Sequence, residues 1–145
     1  MVNPEIINSR LREIDENITI LIDFKSIPLE KFSADPKIYK AVERCLQVAI
    51  QCILDIAHHL IIENEWPRPE DNKETILTLG KNNVVPPDFA ERIQPMAGLR
   101  NLLVHEYIKI KPELLYNHLQ NLDDFREFQR HIVTYLKRTQ SNLKP

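Results

Sequence analysis

The chain has 145 residues. That is short for two domains but enough for one core, because roughly two thirds of the unfolded surface can be buried at this length. Hydrophobic residues make up 43% and charged residues 28%, which argues against disorder, and 2 glycines against 10 prolines leave no room for glycine-loop nucleotide sites and disfavour hairpin-rich β folds.

The charge balance is 19 basic against 21 acidic residues, a net of −2. Non-specific nucleic-acid binders carry a strong basic excess, so any nucleic-acid role here has to be built from one small basic cluster. No run approaches 18 uninterrupted apolar residues, and the N-terminus is charged, without a signal-peptide core. A cytoplasmic protein without a transmembrane span or membrane partner is expected.

The dominant period along the chain is helical. Ile7, Leu11, Ile14, Ile18 and Leu21 step by 4, 3, 4 and 3, which makes one apolar stripe. Asn3 is a good N-cap and Pro4 suits the first helical position. This helix should end before Pro28. Asp35-Pro36 repeats the start signal. From there Val42, Cys45, Leu46, Ala49, Ile53, Ile56, Ala57, Leu60 and Ile61 keep the spacing, with Ile50 and Cys52 widening the stripe. A helix from 36 to 63 would be about 42 Å long and central to the fold. Cys45 and Cys52 lie about 10 Å apart on it, too far for a mutual disulfide, and read as buried hydrophobes.

Residues 64–72 form a loop, because Pro67 and Pro69 cannot continue a helix. A short helix is expected at 73–79, capped by Gly80. Helical spacing resumes at Phe89, Ile93 and Met96, with Pro95 and Gly98 imposing a kink or two abutting helices. Helix is then expected to about 106. Pro112 opens the last helical stretch, apolar at Leu115, Leu119, Leu122, Phe125, Phe128, Ile132 and Tyr135, with a possible break near Asn121 to Asp124. No strand pattern competes. The expectation is an all-α fold: one domain, 1–145, an antiparallel bundle of four main helices plus a short one.

Arg100 and His105 stand in the order R-N-L-L-V-H-E-Y. Such a pair can do phosphodiester chemistry without a metal. The histidine moves a proton at the ribose 2′-hydroxyl or the leaving oxygen, and the guanidinium grips the charged phosphorane. The chain also carries its own decoy, Arg126 and His131, at the same spacing. Only the first pair has Asn101 after the arginine and Tyr107 two residues after the histidine, and only the first follows a segment broken by proline and glycine. Arg126 and His131 read as a solvated or packed surface pair. Arg100 falls on the stripe of Phe89, Ile93, Met96, Leu103 and Tyr107, where an apolar residue is expected, so it needs a partner, a ligand or a route to water. On a regular helix Tyr107 projects within about 20° of Arg100 and His105 about 140° from it. One chain then does not obviously close the site alone, and a two-fold dimer would bring two motifs to one cleft. The bland alternative is a snorkelling arginine and a histidine at a helix end. His58-His59 lacks the spacing of a metal helix, and no metal site is expected.

The segment MAGLRNLLVHEY resembles the R-x4-H-x-Y motif of HepT-like toxins in the HEPN superfamily. YKAVERCLQVAIQCILDIAHHLI is similar to that family's long second helix, VVPPDFAERIQPMAGLRN to the approach to its motif, and LDDFREFQRHIVTYL to its last helix. The likeness runs in order over about residues 4 to 138, with no departure at the motif positions. It implies an HEPN-like helical homodimer with the motif near the interface. It further implies a metal-independent ribonuclease, the toxin of a type VII toxin–antitoxin pair, with cellular RNA as substrate and transfer RNA a plausible target. Arg100 and His105 match the family's catalytic pair, and Asn101 the polar position between them. Tyr107 matches the tyrosine to which the antitoxin, a minimal nucleotidyltransferase of the MntA type, transfers AMP from ATP. No cofactor is implied, since only the partner uses ATP. Two other readings compete: a non-catalytic helical module that partners a nucleotidyltransferase, and a plain interaction bundle, which the near-neutral charge suits.

Overall fold

The computed structural model describes residues 1–105 and 109–143, the last three by backbone alone. Eight helices follow in order: α1 Pro4–Phe24, α2 Leu29–Ala34, α3 Pro36–Glu63, α4 Asn72–Lys81, α5 Pro87–Ile93, α6 Met96–Val104, α7 Pro112–Leu119 and α8 Asp123–Leu143. The described residues contain no strand.

The two long N-terminal helices start where their caps dictate. The Asn3 side chain accepts from the Glu5 N–H (3.0 Å) and that of Asp35 from the Lys37 N–H (3.0 Å), each with a proline at the first helical position. His59 reinforces the first start, its Nε2 accepting from the Asn3 N–H (2.9 Å). His58 Nε2 lies 3.4 Å from Thr75 Oγ1. Both neighbours thus bond within the fold, and the described residues hold no group of three potential metal ligands.

α3 is the central element, packed against α1, α2, α4, α6 and α7. It is long and apolar enough to cross a membrane by composition alone, but twelve of its residues are buried in the core, among them Cys45 and Cys52. Each fully buried leucine or isoleucine of this kind contributes about 1.5–3 kcal/mol. Both cysteines are free thiols; burial pushes Cys45 up, and burial together with the Glu13 carboxylate pushes Cys52 up to about 12. They are packing residues.

Three features differ from the expectation. α2 is an added turn; Phe32 is its one buried residue, packed edge-on against Tyr116 of α7. Tyr116 in turn donates to the Ile27 carbonyl (2.7 Å). Two breaks fall where the sequence allowed them: the last helical stretch divides at residues 120–122 into α7 and α8, and Pro95 yields two abutting helices, α5 and α6. α6 ends at Val104, two residues short of the expected 106. Finally, Gly80 is not the cap of α4. The helix continues to Lys81, and Asn83 takes the left-handed conformation (φ 55°). The Val84 N–H then reaches the Leu79 carbonyl (2.9 Å) and the Asn83 N–H the Gly80 carbonyl (3.2 Å), a Schellman closure.

Gly80 instead permits close packing of α4 on α5. A Cβ there would meet Ala90 Cβ at 2.8 Å and Pro87 Cα at 3.1 Å. At Gly98, in the first turn of α6, a Cβ would meet nothing within 4 Å. The two Gly→Ala substitutions should therefore have opposite signs. Gly80→Ala is expected to destabilise by about 1–2 kcal/mol through overpacking, and Gly98→Ala to stabilise by about 0.5 kcal/mol through the loss of unfolded-state entropy. Urea unfolding of the two variants beside the unsubstituted protein checks both.

Candidate active site

α6 rests on the middle of α3, with Ala97, Leu99 and Leu103 buried. This packing fixes the other face of α6, where Asn101 is exposed and Arg100 half-buried. Arg100 occupies an otherwise apolar stripe, as the sequence indicated, and the structure supplies its partner. Arg100 Nε donates to Gln51 Oε1 on α3 (3.1 Å).

Gln51 is itself oriented. Its Nε2 donates to Asp55 Oδ1 one turn on (2.9 Å), and Arg10 Nε of α1 donates to Asp55 Oδ2 (3.0 Å). A carboxylate only accepts, so Asp55 takes the amide NH₂ and turns the Gln51 carbonyl oxygen toward Arg100. A relay thus runs from α1 through α3 to α6. It holds the guanidinium by its inner nitrogen. A second contact is longer, Nη1 donating to Asn101 Oδ1 at 3.4 Å. With Nε engaged by Gln51, a phosphate at this guanidinium would be gripped through the terminal nitrogens.

His105 is where the chain leaves α6. Its backbone is extended (φ −89°, ψ 93°), its N–H donates to the Leu102 carbonyl (3.3 Å), and its side chain is exposed. The projection of about 140° from Arg100 assumed a regular helix through 105 and does not hold, because the helix stops one residue earlier. Tyr107, also projected from that helix, lies outside the described residues. Arg100, Asn101 and His105 share the last two turns of α6 and its exit.

The decoy pair is engaged in packing. Arg126 pairs with Asp15 of α1 and donates to Gln129 Oε1 (3.2 Å). His131 meets Glu127 (3.1 Å) and packs its ring on Phe89 (centroids 4.9 Å apart). The His131 bond, followed by that of Arg92, holds the Glu127 carboxyl below the usual carboxylate range.

The sequence reading missed Gln51, Asp55 and Arg10. One signal was present: Gln51 and Asp55 are polar residues one turn apart beside the wide apolar face of α3, the pattern of an i,i+4 hydrogen-bonded pair. Nothing in the sequence linked that pair to Arg100, 49 residues away.

Residues 14–132 match the family model described as Ribonuclease HepT-like. A tRNA nuclease HepT from Aphanizomenon flos-aquae is 32% identical over 136 residues, 93% of this chain and 92% of that protein. An mRNA nuclease HepT from Shewanella oneidensis is 26% identical over 99 residues, 68% of this chain and 74% of that protein. The solved structure of a tri-AMPylated Shewanella oneidensis HEPN toxin in complex with MNT antitoxin superposes with a TM-score of 0.78 at 25% identity, covering 89% of this chain and 97% of that one.

Proposed function

The chain belongs to the Ribonuclease HepT-like family, and from that membership and the geometry around Arg100 we propose that it is the toxin of a toxin–antitoxin pair, a metal-independent endoribonuclease that cleaves cellular RNA with Arg100, Asn101 and His105. The observation that carries the reading is the Gln51–Arg100 bond. It holds a half-buried guanidinium by Nε beside an exposed Asn101 and His105.

In this mechanism His105 takes the proton from the ribose 2′-hydroxyl. The 2′-oxygen attacks the phosphorus, and the bond to the 5′-oxygen breaks. Arg100 stabilises the doubly charged phosphorane, which is formed only in the transition state, and Asn101 donates to one of its oxygens. The leaving 5′-oxygen receives a proton from the second histidine of a two-fold dimer. The open surface of α6 suits such a dimer: Gly98 presents no side chain, and Leu102 is 38% exposed. Transfer RNA is the first substrate to try, by analogy with the 32%-identical relative. The protein acts in the cytoplasm and uses no cofactor.

Neutralisation falls to a nucleotidyltransferase partner of the MntA type. The Tyr107 hydroxyl attacks the α-phosphorus of ATP, pyrophosphate leaves, and tyrosyl-AMP remains. Its phosphodiester carries about one negative charge, which pairs with Arg100 and takes the place of the substrate phosphate. The Shewanella toxin that superposes on this chain is tri-AMPylated.

Arg100→Ala and His105→Ala are each expected to lower RNA cleavage by roughly 100-fold or more, the usual yield of one proton-transfer or oxyanion group. Cleavage should persist in chelator, and His131→Ala should stay active. Gln51→Leu should lower kcat on the order of tenfold with little change in KM, because the guanidinium is misaimed rather than lost. Full activity in His105→Ala, or abolition by chelator, would refute the assignment. For the control step, incubation with the partner and ATP should add AMP by intact mass, and Tyr107→Phe should abolish the addition. An unmodified Tyr107 in a fully neutralised protein would end that idea.

A further inference from the structure

RNA is a polyanion, yet the site described so far offers it one half-buried guanidinium. The chain carries a net of −2, so the remaining electrostatic attraction has to be local. We propose that a second cleft, of about 790 Å³ and lined by Tyr39, Lys40, Arg44 and Gln47 of α3 with Lys109 and Lys111 after the motif, holds the RNA strand that flanks the scissile bond. The inference deepens the nuclease reading and rests on it.

Charge is the first support. Four cations line this cleft against one carboxylate, Glu43, in a chain whose acids outnumber its bases. Continuity with the site is the second. Lys40, Arg44, Gln47 and Gln51 step by 4, 3 and 4 residues, so they share one face of α3 over about 16 Å. Arg44 and Gln47 also line the adjoining cleft that contains Gln51, and Arg44 NH1 reaches Gln47 Oε1 at 3.5 Å. Gln51 holds Arg100. Gln51, Gln47 and Arg44 thus link Arg100 to the cleft along one face of α3. Lys109 and Lys111, which follow His105 by four and six residues, line the same cleft.

Tyr39 adds chemistry that an ion-pairing surface for an acidic protein does not need. Its side chain is partly buried against the core and lines the same cleft as the cations, where an aromatic ring can take an unpaired base. Lysines and arginine for phosphates with one aromatic for a base is the pattern of single-strand binding. The cleft thus takes single-stranded RNA, phosphates on Lys40, Arg44 and Lys111 and a base on Tyr39.

The test uses the full-length His105→Ala protein, so that binding is read without cleavage. A short fluorescent single-stranded RNA of mixed sequence is titrated at a series of salt concentrations. Lys40→Ala, Arg44→Ala and Lys111→Ala should each reduce the slope of log K against log salt by about 0.7, the single-strand value per phosphate contact, and the triple variant by about 2. Tyr39→Leu should weaken binding on the order of tenfold without changing the slope. Lys81→Ala, on α4 and outside the cleft, is the charge control and should change neither. Slopes that stay the same across the series would overturn the inference. So would substitutions that alter self-association or binding of the nucleotidyltransferase while RNA affinity stands. The two readings fail separately. If the His105-intact protein cleaves RNA but the slopes do not move, the cleft is wrong and the nuclease stands. If it cleaves nothing yet the slopes fall as stated, the cleft stands and the nuclease reading falls.

Discussion

Arg100 donates from its Nε to Gln51, and the chemistry proposed for the protein depends on that bond. A guanidinium on the apolar stripe of a packed helix needs compensation. Here the shorter bond is made at the inner nitrogen, with Nη1 in a longer contact to Asn101 (3.4 Å). The burial of α6 on α3 sets the depth of the arginine. The Arg10–Asp55–Gln51 relay sets its direction. The geometry proposed for catalysis thus rests on the same interface that supports the fold.

The backbone was legible in the sequence wherever a local signal decided it. Asn3-Pro4 and Asp35-Pro36 start helices because a short polar side chain caps the first free N–H and proline needs none. Pro95 separates α5 from α6 for the same local reason. The stripe of α3 was readable because 3.6-residue periodicity survives over 28 residues. Two of the misreadings involve contacts from elsewhere in the chain. α2 exists because Phe32 has Tyr116 to pack against, 84 residues away by number. Gly80 resembles a helix terminator, yet its missing Cβ answers to Ala90 and Pro87 of the next helix. Asn83 provides the left-handed turn instead.

The site divides in the same way. Arg100, Asn101 and His105 were visible as a spacing, and their decoy was separable by its company. The structure explains the decoy: Arg126 and His131 join α8 to α1 and α5. The residues that aim Arg100 were not visible, because a hydrogen bond across 49 residues leaves no periodic trace. The wheel angle between Arg100 and His105 failed because α6 ends at Val104, with no glycine or proline there to announce it. A net charge of −2 concealed a concentrated basic cleft. An average over the surface carries no information about where the charge lies.

The central claim is that an arginine and a histidine use the substrate's own 2′-hydroxyl as nucleophile. The most direct measurement is the chemistry of the new RNA ends, read by mass spectrometry after cleavage of a defined transfer RNA in excess chelator. In-line attack by the 2′-oxygen predicts a 2′,3′-cyclic phosphate on one fragment and a 5′-hydroxyl on the other. A 2′-deoxy substitution at the cut nucleotide should prevent cleavage there. A 3′-hydroxyl with a 5′-phosphate, or cleavage that survives the 2′-deoxy substitution, would contradict the account, because water rather than the ribose would then be the nucleophile.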